Sequence, residues 1–207
     1  QIKVDGVITA NSTGKDGSGQ QRKGADIVIG RDLETGVLAL ATDVSGAKLE
    51  SPQGFVETSG EFLKIDGIQI KAGEWLLDPN DIVIGTAATS GTGIANAQTL
   101  NGVSQINAVD LGNALTTGTT VTVQTSSTAT GGNGDITVNR EVTAVGDGTL
   151  KLLAHRNVTI NANIDAKGGD ALMQTQGGKI AIASTVIVRG NNISLDLSLI
   201  HISEPTR

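Results

Sequence analysis

The chain contains no cysteine and very few aromatic residues. The absence of cysteine excludes a disulfide framework and a zinc site with cysteine ligands. There is no tyrosine, and Phe55, Phe62 and Trp75 are the only phenylalanine and tryptophan residues. A compact globular core normally buries more aromatic side chains than this. A narrow interior filled by stacked aliphatic side chains does not need them, so the composition favours a β-helix.

Basic clusters and long apolar runs are also scarce. The 207 residues carry a net charge of −6, and the longest basic run is Arg22-Lys23. Nucleic acid and anionic membrane surfaces are therefore not predicted as partners. The longest apolar run, residues 180–188, is interrupted by Ser184 and Thr185 and is too short for a membrane helix. No membrane insertion is predicted.

A regular repeat runs through positions 134–194, with a period of about 22 residues. Each period contains three short segments that alternate between apolar and polar residues and are separated by Gly, Asn and Asp. The first set is Asp135–Asn139, Asn157–Asn161 and Lys179–Ala183; the second is Val142–Ala144, Ile164–Ala166 and Val186–Val188; the third, kept more loosely, is Leu150–Leu152, Leu172–Gln174 and Ile193–Leu195.

A fixed period of this size indicates a stacked repeat architecture. Three strands per repeat predict an all-β fold, a three-faced right-handed parallel β-helix with about 22 residues per coil in the C-terminal half. The right hand follows from the crossover rule for parallel strands. Ile136, Val158 and Ile180 are predicted to stack inside, and Asn139 and Asn161 are predicted to form a stacked amide pair at a turn.

The rest of the chain divides around this regular part. We predict irregular coils for residues 1–84 and regular coils for residues 119–196. Between them, residues 85–118 are predicted to form a loop and a short helix near 107–115 that breaks the stack. Leu197–Arg207 reads LSLIHISEPTR and resembles the in-frame translation of a sequencing-library adapter, so we expect a non-native tail. Because Gln1 begins inside a strand-like pattern, we expect a fragment of a longer protein.

The sequence predicts no catalytic, cofactor-binding or metal-binding residue. His155 is the only histidine before the adapter-like tail and is interpreted as an exposed corner residue. Residues 131–136 resemble the start of a calcium-binding nonapeptide, but Ile136 stands where a ligand aspartate belongs, so a turn is predicted. Asp135 aligns with Asn157 and Lys179, which indicates charges alternating along a corner.

Two longer motifs carry a resemblance to a known family. GFVETSG at residues 54–60 and EWLLDPNDIVI at residues 74–84 resemble the large exoproteins of the filamentous haemagglutinin type, which bacteria export by two-partner secretion. Ala114–Asn139 and His155–Gly169 resemble the same family. There these motifs lie along a right-handed β-helical shaft. The family's secretion domain, with its Asn-Pro-Asn signatures, is not in this sequence.

The resemblance implies a structural shaft segment of a secreted surface adhesin, involved in cell adhesion and virulence, on the outside of a Gram-negative outer membrane. Its implied partners are an outer-membrane two-partner transporter during export, and host-cell or bacterial surface glycans or proteins that bind elsewhere on the protein. A shaft of a contact-dependent toxin-delivery or haem-acquisition exoprotein is an alternative. A polysaccharide-degrading β-helix enzyme is a second alternative, but it needs acids with basic neighbours on one outward face. The outward stack Thr143, Asp165 and Ile187 holds one acid, so no enzyme is predicted.

The three aromatic residues allow two interpretations. Phe55, Phe62 and Trp75 all lie between positions 55 and 75, in the segment that contains the two family-like motifs. They are predicted to fill extra volume in a wider or capped coil. The alternative is an exposed aromatic patch that binds sugar.

Overall fold

A computed structural model describes residues 1–11, 14–15, 17–20, 22–86, 103–126 and 132–197. The described residues are mostly β, with one short helix, α1 (Ala108–Thr116). Residues 87–102 and 198–207 lie outside them, and so does nearly all of the adapter-like tail. The strands are β1 (Ile2–Lys3), β2 (Val7–Thr9), β3 (Ile27–Ile29), β4 (Ala41–Asp43), β5 (Lys48–Ser59), β6 (Phe62–Lys64), β7 (Gln69–Asp78), β8 (Asp81–Gly85), β9 (Val103–Asn107), β10 (Thr120–Gln124), β11 (Ile136–Val138), β12 (Val142–Thr143), β13 (Leu150–Ala154), β14 (Val158–Ile160), β15 (Ile164–Asp165), β16 (Ala171–Thr175), β17 (Ile180–Ile182), β18 (Val188–Arg189) and β19 (Ile193–Leu197).

The strands form parallel sheets. The long sheet has the order β19-β16-β13-β10-β7-β5-β2, with β3 also paired to β5; the second sheet is β17-β14-β11-β8-β9; the third is β12-β15-β18; and an amino-terminal sheet is β1-β4-β6. From β10 onward the chain visits the long, second and third sheets in turn, and each visit adds one strand to the stack. The fold is therefore all-β with parallel strands, as predicted.

The register predicted for the first set of segments is confirmed in the second sheet. Ile136 pairs with Val158, which pairs with Ile180, and the next inward row joins Val138 to Ile160. The side chains in β11 and β14 that face inward are fully buried, because each row covers the row before it. The step predicted from the sequence therefore holds in this sheet without a slip.

The other two sheets each depart from the predicted step at one junction, although Val142 pairs with Ile164 as predicted. Leu150 pairs with Ala171 and not with Leu172, so the step is shorter and Leu172 faces outward. Ile164 pairs with Val188, so the step is longer, and Arg189 and not Ile187 follows Asp165 in the outward row. A slip of one residue moves a side chain to the opposite face of a strand, as at Leu172, whereas the shift of two residues before Val188 leaves the facing unchanged.

The predicted helix is present, but it does not break the long sheet. Along the chain, helix α1 lies directly before β10, the position that β6 has before β7 and that β12 has before β13. Its N-cap is Asn107, whose Oδ1 accepts a hydrogen bond from Val109 N at 3.0 Å. The long sheet is continuous past the helix, because β10 pairs with β7 on one side and with β13 on the other.

Helix α1 packs between neighbouring layers of the stack. The carboxylate of Asp110 accepts a hydrogen bond from Gly67 N at 2.8 Å in the turn before β7. On its other side, Gly112 lies against the backbone of β12, and a β-carbon there would collide with the carbonyl oxygen of Thr143. The backbone therefore approaches closely only because position 112 is glycine. The buried side chains of the helix therefore belong to the main hydrophobic core, at a place in the stack where a strand would otherwise lie.

Candidate functional site at a buried acid pair

Of the three aromatic side chains, Trp75 and Phe62 are buried as predicted. Trp75 is fully buried between β5 and β10, and its Nε1 donates a hydrogen bond to Thr58 Oγ1 at 3.0 Å. Phe62 packs with Ala41 in a small cluster apart from the main core. Phe55 is only half-buried, contrary to the core prediction. Because Trp75 is enclosed, it cannot contribute to an exposed sugar-binding patch.

The aligned corner residues form a hydrogen-bonded ladder. The carboxylate of Asp135 accepts hydrogen bonds from Arg156 Nε at 2.8 Å and from Asn157 Nδ2 at 3.0 Å. The Arg156 guanidinium holds the pKa of the Asp135 carboxyl below its usual range. Asn157 Oδ1 then accepts from Lys179 N at 3.1 Å. Each side chain accepts a hydrogen bond from the next layer of the stack, so the ladder has a structural role.

The other sequence candidates are also structural. The predicted amide pair is confirmed, since Asn161 Nδ2 donates to Asn139 Oδ1 at 2.9 Å. His155 is half-buried rather than exposed, with Nδ1 3.3 Å from Gln176 Oε1. Among the described residues no group of three or more His, Cys, Asp or Glu side chains could hold a metal ion.

The nonapeptide-like segment is a loop held by a neighbouring strand. The carboxylate of Asp81 accepts hydrogen bonds from Asn133 N at 2.9 Å and from Asp135 N at 2.7 Å. Gly131 lies outside the described residues. The Asp81 contacts support the interpretation of this segment as a turn.

A cluster of Arg31, Glu57 and Asp78 lies on the outward face of the long sheet. Alternation along β5 and β7 turns Val56, Thr58, Trp75 and Leu77 toward the core and leaves Glu57, Ser59 and Asp78 on the opposite face. Pairing aligns Ser59 with Asp78, and β3 brings the chain toward Arg31 beside Glu57. This face therefore carries two acids with a basic neighbour, an arrangement that the sequence did not predict.

Glu57 is a fully buried carboxylate that is matched by a cation. Arg31 Nη2 lies 2.7 Å from Glu57 Oε2, and Ser59 Oγ donates to Glu57 Oε1 at 2.7 Å. Burial of a carboxylate is costly unless it is paired and hydrogen-bonded. Arg31 remains about one-third exposed, so its guanidinium covers the acid while its outer edge contacts water.

Among the described residues, the carboxyl of Asp78 has no ion pair like that of Glu57. Its side chain is 8% exposed, and its Oδ1 has no hydrogen-bond partner within the described part of the chain. Burial, with a smaller contribution from repulsion by Glu57, raises the pKa of Asp78 from 3.8 to about 6, and the attraction of Arg31 only partly opposes this. The cluster therefore combines an ion-paired carboxylate with a carboxyl that binds a proton under mildly acidic conditions.

The sequence did not predict this cluster because its members lie before the regular repeat. Arg31 follows β3, Glu57 lies in β5 and Asp78 ends β7, whereas the periodic pattern starts only at position 134. The acids do occupy alternate positions beside apolar residues in both family-like motifs. That alternation could have placed each of the two acids on an outward face, but it could not have shown that the two lie close together in space.

Comparison of the chain with protein-family models, with curated proteins and with solved structures finds no match. No helix in the described ranges is long and apolar enough to span a membrane. Any function assigned to the chain therefore depends on its own residues and geometry.

Replacement of Asp78 by asparagine is expected to remove a pH-dependent loss of stability. The folded-state pKa of Asp78 is raised, so the folded state binds its proton more tightly than the unfolded state does. This stabilisation is fully present below pH 3.8 and is lost as the pH rises to about 6. The total loss is up to about 3 kcal/mol.

Urea unfolding across this pH range measures the effect. The Asp78→Asn variant should be more stable than the parent near neutral pH and similar to it below the ordinary carboxyl pKa. Asp147→Asn, at an exposed carboxyl, is the matched control and should follow the parent. Parallel pH profiles for the parent and Asp78→Asn would contradict the assignment.

Proposed function

We propose that the chain is a right-handed parallel β-helix that forms a structural shaft segment of a secreted bacterial surface adhesin exported by two-partner secretion. The observation that carries this proposal is the sheet topology: from β10 onward, the long, second and third sheets gain parallel strands in turn as the chain proceeds. In such a stack each layer contacts mainly its two neighbours, so length can be extended by repetition.

The packing of the stack favours a load-bearing role. The inward rows of β11 and β14 are aliphatic and fully buried, and the outward polar side chains join successive layers, as Asp135 and Asn157 do. Backbone hydrogen bonds run from each strand to the next along the stacking direction. This arrangement resists bending and needs no substrate pocket.

The proposed whole-protein context follows the resemblance of the two long motifs. The partners would be an outer-membrane transporter during export, and glycans or proteins of a host cell or neighbouring bacterium bound by other parts of the protein. The location would be the bacterial cell surface. A shaft that serves toxin delivery or haem acquisition would use the same coils and differ elsewhere in the protein.

A polysaccharide-degrading enzyme is favoured by one observation only, the outward cluster of Arg31, Glu57 and Asp78. Glu57 is fully buried beneath Arg31, so a sugar chain cannot reach it without displacement of the arginine. We therefore propose no glycan-cleaving activity. Release of reducing ends from acidic polysaccharides should match the buffer blank, and a rate that disappears in Asp78→Asn would overturn this.

Deletion of one whole coil tests the shaft proposal. Removal of residues 157–178 joins Arg156 to Lys179, which occupies the position of Asn157 in the next layer. Because neighbouring layers are interchangeable in a linear stack, the shortened protein should still unfold cooperatively. Removal of residues 157–167 takes out half a coil and should abolish folding, since every later strand leaves its sheet.

The same pair of deletions separates a shaft from a binding or catalytic segment. Bacteria that display the protein with the whole-coil deletion should adhere as strongly as those with the parent protein. Bacteria with the half-coil deletion should lose both surface display and adhesion. Loss of adhesion with normal display of the whole-coil deletion would contradict the shaft role.

A further inference from the structure

The Asp78–Pro79 bond joins β7 to β8 and is the only Asp–Pro bond in the chain. An aspartate side chain can reach its own main-chain carbonyl carbon by closing a five-membered ring. Proline is a favourable leaving group for such an attack, because its ring nitrogen readily accepts a proton. We propose that the folded protein cleaves the Asp78–Pro79 bond autocatalytically at mildly acidic pH, giving fragments 1–78 and 79–207.

The peptide to be cleaved is held on both sides by neighbouring backbone. Gly60 N donates a hydrogen bond to the carbonyl oxygen of Asp78 at 3.3 Å, and Asn80 N donates to the carbonyl oxygen of Glu61 at 3.4 Å. The Gly60 N–H therefore faces the oxygen on which negative charge develops during attack. A preorganised donor at that position lowers the barrier because it stabilises this charge.

The attacking carboxyl is buried, and within the described residues one of its two oxygens is not held by a hydrogen bond. Asp78 Oδ1 has no hydrogen-bond partner in the described part of the chain, whereas the neighbouring carboxylate of Glu57 is held by Arg31 and Ser59. Burial and the charge of Glu57 raise the pKa of Asp78 to about 6. The carboxyl therefore still carries its proton under mildly acidic conditions, where an ordinary aspartate has lost it.

The reaction balances with water as the only co-reactant. A carboxyl oxygen of Asp78 bonds to the Asp78 carbonyl carbon, the carboxyl proton passes to the nitrogen of Pro79, and the carbon–nitrogen bond breaks. The products are a cyclic anhydride at Asp78 and a free amine at Pro79. Water then opens the anhydride and leaves two carboxyl groups on Asp78. The net change is hydrolysis of one peptide bond, with no oxidation or reduction.

The sheet topology keeps the two fragments together after cleavage. β7 remains paired with β5 and β10 in the long sheet, and β8 remains paired with β9 and β11 in the second sheet. Fragment 1–78 contributes strands on one side of β10, which belongs to the other fragment. The cut protein should therefore stay assembled in native buffer and separate only under denaturing conditions.

Intact-mass measurement under denaturing conditions tests the proposal on the full chain. After incubation at mildly acidic pH, below the pKa of Asp78, two masses that sum to the parent plus one water are expected from the folded protein. The folded protein should react at least about tenfold faster than the same chain in concentrated urea at that pH, since positioned donors and acids each contribute more than this. The rate should fall as the pH rises through the pKa of Asp78.

Two variants identify the groups that react. Pro79→Ala keeps the buried carboxyl and replaces only the leaving group, and Asp78→Asn keeps the leaving group and removes the carboxylic acid. Both should stay intact, and circular dichroism checks that both are folded. An intact parent chain, equal rates in buffer and urea, or equal cleavage of Pro79→Ala would each overturn the proposal.

Discussion

Ile160→Asp is expected to unfold the stacked parallel strands around β14. Ile160 is fully buried and lies in an inward row between Val138 and Ile182. A carboxylate at this position would be buried with no cation in the same row. The cost should exceed about 4 kcal/mol, which is enough to unfold a typical domain of marginal stability.

Thr159→Asp is the matched control for this substitution. Thr159 lies next to Ile160 in β14 but faces outward, between Thr137 and Ala181. Its replacement should change the free energy of unfolding by about 0.5 kcal/mol or less. Urea titration followed by circular dichroism measures both variants. Equal destabilisation by the two would show that the inward and outward rows are misassigned.

Arg31→Met should strongly destabilise the amino-terminal half. Arg31 is the cation of the fully buried Glu57, and its loss would leave a buried carboxylate with only the Ser59 hydroxyl as a partner. Removal of one member of a buried ion pair costs about 3–5 kcal/mol. The free energy of unfolding near neutral pH should fall by that amount.

The double variant Arg31→Met, Glu57→Gln separates the ion pair from simple packing. Because it removes both charges, it should recover much of the stability lost in Arg31→Met. Lys48→Met breaks the more exposed pair with Glu50 and should cost about 1 kcal/mol or less. No recovery in the double variant would mean that Arg31 acts through its aliphatic contacts alone.

The regular part of the stack was predictable because its pattern is local and exact. Ile136, Val158 and Ile180 repeat at a constant step with strict alternation on either side, and their pairing is as predicted. Turn residues between the segments marked the strand ends. The helix predicted near 107–115 is also present, at Ala108–Thr116.

The looser segments show where periodicity stops being sufficient. Turns of different length shorten the step before Ala171 and lengthen it before Val188. A strand has a period of two, so one extra or missing turn residue reverses the face of every side chain after it. The sequence shows that a strand is present, but only the hydrogen-bonded register decides which face Leu172 occupies. Before Val188 the shift is two residues, which keeps the face and changes only the residue that follows Asp165 in the outward row, Arg189 in place of Ile187.

By itself, the sequence determined the strand content, the parallel stacking and the aliphatic interior, since these depend on alternation and on a repeated step. Only the tertiary structure brought Arg31, Glu57 and Asp78 together and placed Gly60 N–H on the carbonyl of Asp78. The physical reason is that these contacts join strands outside the regular repeat, which are far apart in the sequence. Their burial and pKa depend on neighbours that no local pattern specifies.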